Sequence, residues 1–363
     1  MPSDNDCMRQ VFKLAEKGKG KTSPNPMVGA VLVKNGEIVG EGFHQGFGMP
    51  HAEIEGLTCA GDKAEGSTLY INLEPCCHYG KTPPCSKALI DAGVKKVVVS
   101  ILDPNPQVNG KGIQELRAAG IQVEVGVLEQ EAKQLNEVFL KWIVKKQPFI
   151  LLKAALTLNG KMADMDGDSK WITGEKAREK AREMRGWYDA VLVGIKTVLK
   201  DDPLLTCRTP GLKNPVRIAL DTRLKIPLDS KLVKTVGEAP FWVATCHPDP
   251  DKVEKLQKAG VKVILLFEEE EGKVSLRALS EYLGACQISS LFVEGGAEVL
   301  GGFLKERLVD KIIFFMAPKL ISDSGLGVFQ KWRENSIRQA LILKNLAVSQ
   351  IEQDVLIQGY PEF

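Results

Sequence analysis

Apolar residues recur along this chain in short blocks, and the period of each block predicts its element. Residues 27–33 and 37–42 read as two strands around Lys34-Asn35-Gly36, because Asn-Gly is a strong signal for a tight hairpin turn. A helix is predicted over 52–60, a strand over 68–73, a helix over 84–92 stopped by Gly93, and a β-branched strand over 94–102. A helix over 113–119, a strand over 121–127 and one long amphipathic helix from 129 to 143 complete a three-layer α/β pattern. Lys145-Lys146-Gln147-Pro148 breaks that pattern, which places a boundary between domains 1–146 and 147–363. Beyond it, strands at 149–156, 190–194, 216–221, 241–245, 261–267, 290–294 and 311–316 mix with helices at 175–185, 251–259 and 297–308. A second α/β domain is expected, with the acidic run at 268–271 as a solvated loop.

Length agrees, since 363 residues exceed one ordinary domain. The chain is 44% apolar and 26% charged, as a folded globular protein is. Its 48 Lys and Arg against 46 Asp and Glu leave a net charge of +2, so it lacks the basic field that favours a nucleic-acid partner. No stretch approaches the roughly 18 apolar residues of a membrane span, and the start lacks a basic and then apolar leader. A cytoplasmic protein is expected, with no membrane partner. Its eight cysteines are too sparse for a disulfide scaffold.

Chemistry is concentrated in one region. Cys76, Cys77 and Cys85 fall close together, and His44, His51 and His78 lie in or just before them. His51-Ala52-Glu53, Pro75-Cys76 and Pro83-Pro84-Cys85 supply one imidazole and two thiolates, a set that gives zinc a tetrahedral site with one position open for water. Zinc lowers the pKa of such a water toward about 7, and Glu53 is placed to shuttle its proton. Zinc deaminases carry H-x-E with P-C-x-x-C; here the cysteines stand further apart. On the motif alone, a structural zinc closed by Cys77 or His78 remains open.

The stretch from Leu73-Glu74-Pro75-Cys76 through His78, Lys81 and Pro84-Cys85 resembles the insertion of the bifunctional deaminase-reductases of riboflavin biosynthesis, the RibD or RibG family. Ser23-Pro24-Asn25-Pro26, Gly42-Phe43-His44 and Asp103-Pro104-Asn105-Pro106 extend the resemblance. It implies a cytidine-deaminase-like three-layer α/β/α domain with zinc on His51, Cys76 and Cys85 and Glu53 as the catalytic proton shuttle. It also implies that Asn25, His44, His78, Lys81, Asp103 and Asn105 line a pyrimidine ribosyl phosphate pocket. Read without it, Asp103 and Asn105 are equally well turn-formers.

No G-x-G-x-x-G follows a strand in the second domain, but Glu294-Gly295-Gly296-Ala297 ends a strand and opens a helix, where backbone amides can cradle a phosphate. The blocks beginning at Lys153, Ser169 and Asp189 resemble the reductase half of the same family, which has a dihydrofolate-reductase-like fold and uses NADPH. The resemblance implies cofactor contacts from Ala155, Trp171, Thr197, Asp201 and the run Gly296, Ala297, Glu298, Val299, Leu300, Gly301 and Gly302. It places substrate on Ser169, Arg185, Leu205, Arg208 and Glu294. The plain alternatives are a solvated helix-end charge for Arg185 and a core aromatic for Trp171. The function implied is deamination of a diaminopyrimidine ribosyl phosphate followed by NADPH-dependent reduction of its ribosyl chain, by a homo-oligomer, dimer or tetramer. A tRNA or DNA base deaminase with an appended domain and a structural-zinc or redox-sensing protein are the rivals.

Overall fold

The computed structural model describes residues 3–79, 83–269, 272–332 and 336–363, and it divides into compact units 1–146 and 147–363. The first unit opens with a helix absent from the predicted elements, α1 (Asp4–Glu16). Ser3 caps it, and Cys7, Met8, Val11 and Leu14 carry its buried helical stripe. The hairpin follows as β1 (Gly29–Lys34) and β2 (Glu37–Phe43), with Asn35 and Gly36 at positive φ as the Asn-Gly turn requires. Then come α2 (Ala52–Ala60), β3 (Thr68–Leu73), α3 (Cys85–Asp91), β4 (Lys96–Ile101), α4 (Lys111–Ala118) and β5 (Gln122–Val125). The predicted long helix is two, α5 (Glu129–Leu135) and α6 (Glu137–Lys145), because Asn136 leaves the helix at φ −108° and ψ 23°.

The sheet runs β2-β1-β3-β4-β5, antiparallel around β1 and parallel from β3 onward. Alternation along each strand makes the three layers. Val31, Tyr70 and Val98 pack under α1, while Ala30, Leu32, Leu69, Ile71, Val97 and Val99 pack into the core on the other face with α2, α3 and α4. A Cβ on Gly42 would stand 2.4 Å from Ala52 O and from Gly56 N, so glycine lets the start of α2 lie on the hairpin.

The second unit contains β6 (Phe149–Thr157), β7 (Lys161–Ala163), α7 (Glu175–Arg185), β8 (Ala190–Gly194), α8 (Ile195–Asp201), β9 (Val216–Leu220) and α9 (Lys231–Lys234). It continues with β10 (Phe241–Thr245), α10 (Pro250–Lys258), β11 (Lys262–Leu265), β12 (Glu268–Glu269), β13 (Lys273–Val274), α11 (Leu276–Ala285), β14 (Ser290–Val293) and α12 (Ala297–Lys305). It ends with β15 (Lys311–Ala317), β16 (Leu326–Gly327), β17 (Ile342–Ile351) and β18 (Asp354–Glu362). The acidic run at 268–271 is thus partly a short strand, Glu268 and Glu269 pairing with Val274 and Lys273; residues 270 and 271 lie outside the described residues.

Nine strands form one sheet in the order β11-β10-β9-β8-β14-β6-β15-β18-β17. It is parallel from β11 to β15, with the last hairpin antiparallel. The carboxyl ends of β6, β8 and β14 therefore share one edge, where open α/β sheets bind ligands.

Candidate active sites

In the first unit, three donors converge at element ends. His51 precedes α2, Cys76 follows β3, and Cys85 is the first residue of α3. His51 Nδ1 lies 3.6 Å from Cys76 Sγ and 3.3 Å from Cys85 Sγ, and the three atoms all fall within 4.8 Å of one another. A tetrahedral zinc with ordinary bond lengths separates nitrogen from sulfur by about 3.6 Å, so this donor set fits the metal. Cys76 Sγ accepts from Cys85 N–H at 3.4 Å. The hydrogen bond from the Cys85 thiol, together with His51, holds the Cys76 thiol well below its ordinary pKa, and the same thiol–thiolate pairing pushes Cys85 up. Cys77 points elsewhere, toward Gln107 O at 3.8 Å, and is outside the donor set.

Glu53 lies in the first turn of α2 and is 3% exposed. Burial, reinforced by the charge on Cys76, lifts its carboxyl to about 7. Such a group takes and returns a proton near neutrality, which is what a shuttle must do. His44 meets His51 edge to face at 5.5 Å. Its Nδ1 faces Pro50 O at 3.0 Å and its Nε2 faces Asn25 Nδ2 at 3.1 Å. The carbonyl demands a donor and the amide an acceptor, which selects the neutral Nδ1–H tautomer; burial lowers the pKa in the same sense.

These groups open into a cavity of about 340 Å³ that also contains Asn25, His78, Asp103 and Asn105. His78 Nδ1 is buried with no hydrogen-bond partner among the described residues. Lys81 lies outside the described residues. Asp103 and Asn105 are turn-formers as well as cavity residues, since Asp103 Oδ1 accepts from Asn105 N–H at 2.8 Å. Burial, helped by nearby Glu74, raises the Asp103 carboxyl to about 6. Glu74 accepts from the N–H groups of Asp103, Gly110 and Ile113 and so anchors the whole turn. Sequence reasoning missed the far wall, made by Phe47, Met49, Phe139, Trp142 and Ile143. The last three are spaced 3 and 1 apart on α6, and the helical period that revealed their helix also marked this face as apolar.

The second unit holds a cavity of about 520 Å³ lined by Ala155, Ser169, Trp171, Thr197, Asp201, Leu205, Arg208, Glu294 and Gly296. Arg185 reaches it from the end of α7 and is paired, not a free solvated charge, its side chain only 15% exposed: its Nε lies 2.6 Å from Glu294 Oε1 and its Nη2 3.1 Å from Oε2. Lys153, missed in the sequence, stands 3.9 Å from the same carboxylate. Burial opposes ionisation of Glu294, but the two cations overcome it and hold its carboxyl below the ordinary range. Trp171 is no core residue; it is 64% exposed, with the Arg178 guanidinium 4.5 Å from its ring centre.

From Gly296 to Gly302 only Gly296 lines the cavity, because the rest is helix and serves packing. Ala297 and Leu300 are buried in the core, Gly301 abuts Gln330 O, Gly302 abuts Leu276, and Val299 covers Gly194 and Gly295. Glu298 pairs with Lys196 at 2.6 Å. Leu205 and Arg208 sit at φ +55° and +62° in a loop tied to the buried Arg217, whose Nη1 donates to Leu204 O at 3.1 Å.

Residues 1–101 match the family model described as the cytidine and deoxycytidylate deaminase zinc-binding region, and 148–357 match the RibD C-terminal domain. Fold and sites thus define a zinc-type deaminase joined to an α/β reductase. Riboflavin biosynthesis protein RibD of Aquifex aeolicus is 46% identical over 98% of this chain and 97% of its own, and that of Escherichia coli is 41% identical over 90% of each. The structure of Acinetobacter baumannii RibD superposes with a TM-score of 0.89 at 39% identity, covering 99% of both chains. A structure from Thermotoga maritima, described as a diaminohydroxyphosphoribosylaminopyrimidine deaminase/5-amino-6-(5-phosphoribosylamino)uracil reductase, gives 0.85 at 39% over 99% of both. The chain belongs to the RibD family, the bifunctional deaminase-reductases of riboflavin biosynthesis.

Proposed function

We propose that residues 1–146 deaminate 2,5-diamino-6-ribosylamino-4(3H)-pyrimidinone 5′-phosphate. On this reading residues 147–363 then reduce the product's ribosyl chain to ribityl with NADPH. The product is 5-amino-6-ribitylamino-2,4-pyrimidinedione 5′-phosphate. The observation that carries this reading is the buried carboxylate of Glu53, lifted to about 7, beside a His-Cys-Cys donor set. A structural zinc site leaves such a carboxylate without a task.

His51, Cys76 and Cys85 would hold zinc, which would supply a water acidic enough to attack at neutral pH. Glu53 would move one proton from the attacking water to a ring nitrogen and the second from the added hydroxyl to the departing ammonia. Asp103 accepts from the ring amino and N–H donors. Neutral His44, Asn25 and Asn105 fix the ring edge, and His78 offers its Nδ1, which has no partner among the described residues, to the ribosyl phosphate. Lys81 completes the phosphate contact.

In the second unit NADPH supplies the hydride. Ala155, Trp171, Thr197, Asp201 and Gly296 hold the cofactor, with the amides at the start of α12 toward its phosphates. Arg208 and Ser169 hold substrate, Leu205 packs on it, and Glu294 keeps Arg185 aimed into the cavity. The enzyme works in the cytoplasm, whose reducing conditions keep its ligand cysteines out of disulfides. It acts as a dimer or tetramer, a reading supported by Ile342, Leu346 and Val348, each near 60% exposed on edge strand β17. Light scattering measures that state directly. The catalytic reading is tested by metal analysis and ammonia release: one zinc per chain with ammonia from the diaminopyrimidine substrate supports it. Zinc without ammonia refutes it.

A further inference from the structure

The cavity wall made by Pro24, Asn25 and Pro26 has no regular secondary structure, yet the next residue is gripped on both sides. Met27 N–H donates to Asn136 Oδ1 at 2.8 Å, and Asn136 Nδ2 donates back to Met27 O at 2.9 Å. Asn72 Nδ2 donates to the same carbonyl at 2.8 Å while its Oδ1 accepts from Gly29 N–H at 2.9 Å. One primary amide thus exchanges two hydrogen bonds with one backbone residue, as a neighbouring strand does.

Asn136 is 2% exposed and occupies the N-cap position of α6. An asparagine there ordinarily turns its side chain onto the first amides of the helix. This one makes no such bond; its amide is committed to Met27. Beyond it, α6 brings Phe139 and Trp142 into the cavity, so Asn136 joins the loop wall to the helical wall. The linkage continues to His44, whose N–H donates to Val28 O at 2.8 Å and whose Nε2 faces Asn25.

We infer that Asn136 is a positioning residue for deamination: acting through Met27, it sets where Asn25 and His44 meet the pyrimidine opposite the metal ligands. The inference rests on the deaminase reading of this cavity. It also gives a reason for the break between α5 and α6, where the amphipathic pattern alone would continue one helix.

The experiment compares wild type with N136A and N136S for zinc content, deamination kinetics and, as an internal control, NADPH-dependent reduction by the same chains. Losing an ordinary hydrogen bond to the substrate weakens its binding by up to about tenfold without touching the chemical step. N136A and N136S are expected to raise the deamination KM about tenfold, with kcat within about threefold, one zinc per chain and unchanged reduction. A role in holding the fold alone lowers the fraction of working sites, so kcat falling at constant KM overturns the inference. So does loss of zinc from both variants, which would make the residue a support of the domain and not of the pocket. N25A supplies the coupling test: its effect on KM and that of N136A must be less than additive in the double variant, and full additivity overturns the inference. Absence of ammonia from wild type would instead remove the deaminase reading itself.

Discussion

Glu53 shows how much one residue's surroundings decide. The H-x-E spacing made it legible in the sequence, but its raised pKa comes from its burial in the first turn of α2 and from the neighbouring thiolate. Replacing it with glutamine should lower ammonia release by about 100- to 10,000-fold while zinc stays at one per chain, measured by metal analysis and an ammonia assay. Asp103 carries a pH dependence of definite sign. Its carboxyl, raised to about 6, is protonated below that pH and ionised above it. Only the ionised form accepts from two donors. Glu53, lifted to about 7, must likewise be ionised to take a proton, so deamination kcat/KM should fall about tenfold per pH unit below about 7 and about 100-fold per unit below about 6, where Asp103 also protonates. D103N should give a low profile that keeps only the single tenfold-per-unit fall below about 7, over the range in which zinc is retained. Lys153 and Glu74 escaped the sequence because a lone lysine in a strand, or a lone glutamate just after one, carries no spacing signal; only folding brings Lys153 to Glu294 and Glu74 to the turn at 103–113.

At the scale of elements, period and punctuation located the hairpin, the parallel strands and most helices. The split of the helix after Glu129 was illegible because its apolar stripe runs through both halves, and the demand placed on Asn136 is tertiary. The run from Gly296 to Gly302 likewise read as one cofactor stretch, whereas a helix turns successive side chains to different faces, and only its first residue meets the cavity. Arg217 on β9 joins elements in the same hidden way. Fully buried, it donates to the carbonyls of Leu204, Leu232, Thr235 and Ala239 and to the Thr235 hydroxyl. R217M should leave these acceptors unsatisfied and cost about 3 kcal/mol or more, seen as a lower urea midpoint for the second unit. Because Leu204 adjoins Leu205, the surviving folded enzyme should also show a raised KM for reduction.

For the whole molecule, the two units carry separate chemistry in one chain, and the near-neutral composition already disfavoured a nucleic-acid partner. No described helix is long and apolar enough to cross a membrane. Separateness predicts selective damage. R185A leaves Glu294 with Lys153 as its remaining near cation, costs about 3 to 5 kcal/mol locally, and should abolish NADPH oxidation while ammonia release continues. The account as a whole is tested by giving the diaminopyrimidine ribosyl phosphate and NADPH to one zinc-loaded preparation and following ammonia and NADPH together. Ammonia should appear first, NADPH loss should follow with equal final stoichiometry, and E53Q should silence both until deaminated substrate restores oxidation alone. NADPH oxidation by E53Q from the diamino substrate at the wild-type rate would contradict it.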